Sequence, residues 1–256
     1  MRRYRFLYEQ LVRRELRQKY QGSALGLAWY VVNPLVLMAA YWFMFGKVLP
    51  GVVAHPDYPL FLMPGLLVWL FFSQSLLGAA GSLLDQGSLI RKARFPREIV
   101  PAAVVSVQFV TFAIVLAAVT VLTVAVRGTL GWPLLLLPLL LAALGGFAVG
   151  LALVVSVLHA YFRDVAPILG AILLPWFFIS PIFFDPSDVT HNDTYRDVLQ
   201  WANPIAPFIT AVRDVVYGGA WPSAGELAYV AAAALLAVAA GTALFRRMDA
   251  ELAVVV

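Results

Sequence analysis

Apolar residues run through this chain in long blocks rather than in alternation. Six blocks stand out, at 27–48, 60–84, 98–126, 132–158, 165–184 and 226–245. Each is near the roughly 20 residues that an α-helix needs to cross about 30 Å of hydrocarbon. Inside lipid only helices and closed barrels satisfy every backbone N–H and C=O. Barrel strands would alternate polar and apolar residues over about 10 positions, and no such alternation occurs. The pattern predicts an all-α membrane protein with six transmembrane helices.

Two further stretches have their own periodicity. Over residues 4–20, Tyr4, Leu7, Tyr8, Leu11, Val12, Leu16 and Tyr20 recur at three- and four-residue spacing, while Arg5, Arg13, Arg14, Arg17 and Lys19 fill much of the remainder. An apolar stripe flanked by cations predicts an amphipathic helix in the membrane interface; the alternative is a helix docked on a partner. Between the fifth and sixth blocks, 185–225 is neither plainly soluble nor plainly spanning. Within it Ile205, Phe208, Ile209, Val212, Val215 and Val216 form one helical face, opened by Asn203-Pro204 and closed by Gly218-Gly219. Short outer helices, lying on the surface or re-entering the membrane, are expected there.

Composition agrees with this picture, since 62% of the 256 residues are hydrophobic and only 12% are charged. A soluble domain carries about a quarter charged residues. Charge then sets the orientation. With the N-terminus inside, 14 of the 18 Lys and Arg residues fall on inner segments, four of them at Arg91, Lys92, Arg94 and Arg97. Lys47, Arg127, Arg196 and Arg213 fall outside, beside Asp185, Asp188, Asp193, Asp197 and Asp214. This asymmetry predicts cytoplasmic N- and C-termini. The net charge of +4 is thereby accounted for without nucleic acid. The basic start, Met1-Arg2-Arg3, is not followed directly by an apolar core and cleavage site, so a removed signal peptide is not expected.

The membrane interior holds little chemistry. Its blocks contain no ionisable residue away from their ends, which disfavours a proton relay. There is no cysteine. No G-x-x-x-x-G-K-[ST], G-x-S-x-G or H-E-x-x-H occurs, so neither nucleotide binding nor hydrolysis is predicted for this chain. His55, His159 and His191 are isolated and read as structural, because one histidine without a second ligand or base makes neither a metal nor a catalytic site. An intramembrane lipid-modifying enzyme would need a clustered carboxylate, histidine or nucleophile, and none is visible. Gly22-x-x-x-Gly26 and Gly146-x-x-x-Gly150 are weak signals of helix contact.

Three places carry more information. Pro167, Pro175 and Pro181 fall in or near the fifth block, where each missing N–H kinks or interrupts a helix. Trp176, Phe177, Phe178, Phe183 and Phe184 surround them, and Trp29, Tyr30, Tyr41, Trp42, Phe43 and Phe45 crowd the first block. An interfacial belt explains some of these aromatics; faces for stacking a sliding sugar polymer would explain others. The third place is the inner segment Asp85–Arg97. Positive-inside bias accounts for its cations, but Leu89, Ile90 and Phe95 call for a docking partner or the interface.

On these residues the chain resembles the membrane subunits of ABC-2 type exporters of cell-envelope polysaccharides, which include the teichoic acid and O-antigen permeases. The resemblance rests on Lys19-Tyr20, Ser23, Leu25-Gly26, Trp29 and Pro34, then Gly65-Leu66, Trp69 and Phe71-Phe72, then Leu89-Ile90-Arg91-Lys92 with Phe95-Pro96. It continues through Tyr161-Phe162-Arg163-Asp164, Ser180-Pro181-Ile182-Phe183 and Asn203-Pro204, in order along nearly the whole chain.

The resemblance implies one transmembrane domain over 1–256 in the plasma (inner) membrane of a bacterium. It implies a homodimer bound to two ATPase subunits that hold ATP and Mg, with no cofactor in this chain. Residues 86–96 would be the coupling helix, with Gln86, Leu89, Ile90, Arg91, Lys92 and Phe95 at the ATPase. Arg13, Arg14, Arg17 and Lys19 would lie near the substrate's lipid headgroup. Trp29, Tyr30, Tyr41, Trp42, Trp176, Phe177 and Phe178 would line the channel, and 185–225 would shape its outer mouth. The implied cargo is a lipid-linked glycopolymer of the wall teichoic acid or O-antigen type. The alternative within the same architecture is small-molecule or drug efflux.

Overall fold

The computed structural model describes residues 4–20, 28–48, 57–92, 95–186, 192–249 and 252. Among them every regular element is helical, with no strand. Helix α1 (Arg5–Tyr20) is followed by α2 (Trp29–Phe43), which a π-helical turn at Met44–Val48 extends. Then come α3 (Tyr58–Asp85), the short α4 (Gly87–Lys92) and α5 (Ile99–Arg127). A 3₁₀ turn at Trp132–Leu136 leads into α6 (Leu137–Tyr161), followed by α7 (Val165–Ile179). The outer segment contains α8 (Asp193–Asp197) and α9 (Ala206–Arg213), each continued by a π-helical turn, and α10 (Ala224–Met248) closes the chain.

Among the described residues four helices are long and apolar enough to cross a membrane: Tyr58–Asp85, Ile99–Arg127, Trp132–Tyr161 and Ala224–Met248. The expected first and fifth spans are apolar but shorter, at 15 residues each. The fifth differs most from the expectation of 165–184. Helix α7 passes through Pro175 but ends at Ile179, because Pro181 has no N–H to carry it further and Ser180 turns extended. Residues 180–184 form a non-helical turn instead.

Helix α3 is the axis of the bundle. Pro59 occupies its first turn, where a missing N–H costs nothing. Its long buried face meets α5 and α6 and the re-entrant part of the outer segment. Gly128, in the left-handed conformation (φ 68°), caps α5 by donating to the Val124 carbonyl at 2.9 Å. Ser223 and Glu226 start α10 with a capping box: Ser223 N donates to Glu226 Oε2 at 2.8 Å and Glu226 N to Ser223 Oγ at 3.2 Å.

Helices α6 and α10 make the tightest contact. A Cβ on Gly150 would lie 2.2 Å from the Ala237 carbonyl carbon, and one on Gly241 would lie 2.2 Å from the Gly150 oxygen. Two missing side chains let the backbones touch. Gly146, one turn away, has ordinary room, with Val238 Cγ2 at 3.7 Å from its would-be Cβ. The Gly146–Gly150 pair therefore marks a crossing that Gly150 makes with Gly241. Gly22 and Gly26 lie outside the described residues.

Candidate functional site

The functional geometry sits at the two ends of the bundle, termed outer and inner after the orientation that the lysine and arginine distribution predicts. At the outer end, α9 does not lie on the surface: all eight of its residues are buried. Phe208 stacks on Phe147 at 5.0 Å, and Phe147 on Phe72 at 5.9 Å. Phe147 stands ten residues into α6, so α9 reaches roughly 15 Å down the bundle. Gln200 Nε2 donates to Thr210 Oγ1 at 2.9 Å across the turn at 203–205, so 193–218 is a helical hairpin whose second arm is held against α3 and α6.

Burying that hairpin requires its polar turn to be satisfied, because water is not at hand. Asn203 does this. Trp176 Nε1 donates to Asn203 Oδ1 at 2.8 Å, Asn203 Nδ2 donates to Ser180 Oγ at 3.0 Å, and Ile205 N returns to Asn203 Oδ1 at 3.3 Å. Higher up, Arg213 is only 3% exposed. Its guanidinium donates to the carbonyls of Pro181 (2.6 Å), Ile182 (2.9 Å), Phe61 (3.3 Å) and Phe184 (3.4 Å), and lies 4.0 Å from the centre of the Phe61 ring. Gly65 leaves the space it needs, since a Cβ there would meet Arg213 Nη2 at 2.7 Å. Arg213 therefore pins the 180–184 turn to α3, and the Tyr58 hydroxyl adds a bond to the Phe183 carbonyl at 3.2 Å.

In the sequence Arg213 counts as one of the outer cations, but its spacing carries a structural signal. It extends the spacing Ile205, Ile209 by four and so falls on the apolar face. At its neighbour Asp214, burial outweighs the charge of Arg213, which lowers the carboxyl. Burial pushes the Asp214 carboxyl up to about 7, with Glu226 raising it further, Arg213 opposing and Asp185 adding. Asp214 and Glu226, together with Asp185, Asp197, Gln200 and Trp201, face an open outer cavity of about 360 Å³. A second outer tie is Arg127, which donates to Asp57 Oδ2 at 2.8 Å and to the Tyr217 hydroxyl at 3.1 Å, linking α3, α5 and the hairpin's end.

The aromatic candidates divide by position. Phe177 is buried and Trp176 partly buried, the latter 6.0 Å from Trp69 and 5.5 Å from Phe72. Tyr41 packs on Phe183 at 4.9 Å and on Phe177 at 5.8 Å. Phe178 (54% exposed), Trp29 and Trp42 face outward from α7 and α2. The side chain of Tyr30 lies outside the described residues.

At the inner end, α1 crosses under the bundle. Leu11 joins Leu83, Ile90, Val100, Leu153, Val157 and Phe245 in a second apolar cluster. Much of the amphipathic stripe is thus covered by the chain's own helices, and Tyr8 is hydrogen-bonded to Ser106 of α5. The cluster also explains why apolar residues occur in the inner segment: Ile90 is buried in it, and Leu89 and Phe95 pack against it. Ser88, Arg91 and Lys92 remain exposed.

Gln86, between α3 and α4, is buried and turned toward α1. Arg14 Nη1 donates to Gln86 Oε1 at 2.9 Å, and Gln86 Nε2 donates to Glu15 Oε1 at 3.5 Å. Burial raises the Glu15 carboxyl, against the lowering effect of Arg14. Arg13 and Arg17 are exposed on α1; the Lys19 side chain lies outside the described residues. Arg97 donates to Asp249 Oδ1 at 3.1 Å and Arg246 to Glu98 Oε1 at 3.0 Å, fastening α10 to the start of α5.

Of the three histidines, only His159 is described. It is buried, and its Nδ1 accepts the Ala166 N–H at 3.3 Å, closing the first turn of α7.

Comparison with known proteins agrees with this architecture. The ABC-2 type transporter family matches residues 7–217. The chain is 30% identical to the O-antigen export system permease protein RfbA of Myxococcus xanthus, across 98% of this chain and 95% of that protein. It is 27% identical to the RfbA permease of Klebsiella pneumoniae, across 84% and 82%. With the polysialic acid transport protein KpsM of Escherichia coli it shares 23% identity over 94% and 93%. A helical membrane bundle matched over most of its length by one family leaves a single assignment: the chain belongs to the ABC-2 type transporter family.

Proposed function

We propose that this chain is the membrane-spanning permease subunit of an ATP-driven exporter that moves a lipid-linked cell-envelope glycopolymer from the cytoplasmic to the outer side of the membrane. End-to-end similarity to a permease named for O-antigen export carries this reading. The polysialic acid relative supports glycopolymer over drug efflux as the cargo class. ATP hydrolysis belongs to a partner, since the sequence contains no phosphate-cradling loop.

The assembly is a homodimer with two ATPase subunits. The exposed Ser88, Arg91 and Lys92 of α4 support an ATPase contact at the cytoplasmic face. The outward-facing Trp29, Trp42 and Phe178 favour α2 and α7 as the surfaces that meet the second copy and the polymer between them. Nucleotide binding shifts the channel only insofar as it binds one channel state more strongly than another. The N-terminus and C-terminus are cytoplasmic, in line with the lysine and arginine distribution.

The purified permease–ATPase complex in proteoliposomes tests this reading. Lipid-linked glycan should stimulate ATP hydrolysis and appear on the far side; stimulation by amphiphilic drugs with indifference to glycan would instead favour efflux. In the same cysteine-free background, an impermeant thiol reagent should label Thr194→Cys from outside intact cells and leave Ser88→Cys unmodified. The reverse labelling would overturn the orientation.

A further inference from the structure

We propose that Gln86 is a positioning residue that links the ATPase-facing helix α4 to the interfacial helix α1, so that displacement of α4 is passed to α1. This rests on the reading that α4 receives the ATPase.

Gln86 is placed for such a link by both its backbone and its side chain. It is the single residue between the end of α3 and the start of α4. Its carbonyl accepts the N–H groups of Leu89 (2.9 Å) and Ile90 (3.0 Å), so it starts α4 and turns with it. Its amide points the other way, into α1, accepting from Arg14 and donating to Glu15. At 3% exposure it has little access to water that could replace those partners. A rotation of α4 that moved Gln86 alone would strand a buried amide, which is costly.

The apolar contacts beside it act in the same sense. Leu11 of α1 and Ile90 of α4 belong to one apolar cluster with Leu83, while α1 itself packs chiefly along α5. Close packing transmits displacement better than a loop does. At its other end α1 is tied to the membrane bundle through Tyr8 and Ser106. Helix α1 thus spans from the hinge of α4 to the inner part of α5, and Gln86 is the point where a push on α4 enters it.

The full permease–ATPase complex in proteoliposomes provides the test, with polymer moved per ATP hydrolysed as the readout. Gln86→Leu removes both hydrogen bonds while keeping an apolar side chain for the core, and leaves Arg14 free to hydrate. It should lower the coupling ratio, read at matched ATPase occupancy of the complex, by roughly fivefold, within the range that residues on a coupling route produce. Exchanging the two side chains, Gln86→Glu with Glu15→Gln, retains an amide–carboxylate contact and an acceptor for Arg14, and should restore the ratio.

An unchanged ratio in Gln86→Leu would overturn the proposal. So would loss of coupling only in step with loss of thermal stability, or an exchange variant that stays uncoupled. Failure of the underlying reading looks different: Arg91→Glu with Lys92→Glu would leave ATPase association intact.

Discussion

The outer and inner ends of the bundle are held by different physics. At the outer end, Arg213 and Asn203 spend their hydrogen bonds on backbone carbonyls and buried side chains with almost no exposure to water. At the inner end, Arg97–Asp249 and Arg246–Glu98 are partly exposed ion pairs laid over an apolar cluster. Breaking a buried, fully used polar group leaves its partners unsatisfied, whereas an exposed pair is replaced by water. The outer hairpin should therefore be rigid and intolerant of change. The ion pairs of the inner face, unlike the buried Gln86 beside them, can be remade at low cost.

The sharpest way to break this contrast is Arg213→Met. It strands the carbonyls of Pro181, Ile182 and Phe184 and should cost roughly 3 kcal/mol or more, read as a large fall in thermal stability in detergent. Stability close to wild type would mean that water reaches the clamp. Next in size is Gly150→Ala, where the added methyl meets the α10 backbone; a loss of about 1–3 kcal/mol is expected. Gly146→Ala, on the same helix with ordinary room, serves as the control and should be neutral. Equal losses at both glycines would remove the case for backbone contact at Gly150.

A smaller effect is expected from pH. The Asp214 carboxyl is raised to about 7 in the folded protein from an ordinary value of 3.8, so the folded state holds this proton more tightly than the unfolded state. Its contribution should stabilise the outer segment as pH falls from about 7 towards 4, and be lost as pH rises through 7. The hydrogen-exchange protection of 206–218, corrected for the intrinsic pH dependence of amide exchange, should rise on acidification in wild type, and Asp214→Asn should flatten that response. A variant that keeps the full response would assign it to other carboxylates. The smallest effect belongs to the inner surface: Glu98→Gln should change stability by no more than about 0.5 kcal/mol, and by less still at high salt.

The helical class, the approximate bounds of the four long helices and the amphipathic character of α1 were all readable along the chain, because length, hydropathy and 3.6-residue spacing are local quantities. So was the break at Asn203-Pro204. The ends of α7 were harder: apolarity continues to Phe184, and only the turn pinned by Arg213 shows why the helix stops at Ile179. Leu89, Ile90 and Phe95 were visible as misplaced apolar residues, but their cover comes from helices remote in sequence, among them Leu11, Val157 and Phe245.

Local pattern thus determined what each segment is, since solvent and bilayer act on every segment alike. Tertiary structure decided what each polar residue is for. Arg213 counts in the sequence as one more outer cation, and only the approach of 181–184 to α3 makes it a clamp. Gln86 counts as an inner polar residue, and only α1 folding back beneath the bundle makes it a link. Hydrogen bonds act over about 3 Å between residues 71 and 72 apart for Gln86 and 152 apart for Arg213 with Phe61, and no local reading of the chain carries that information.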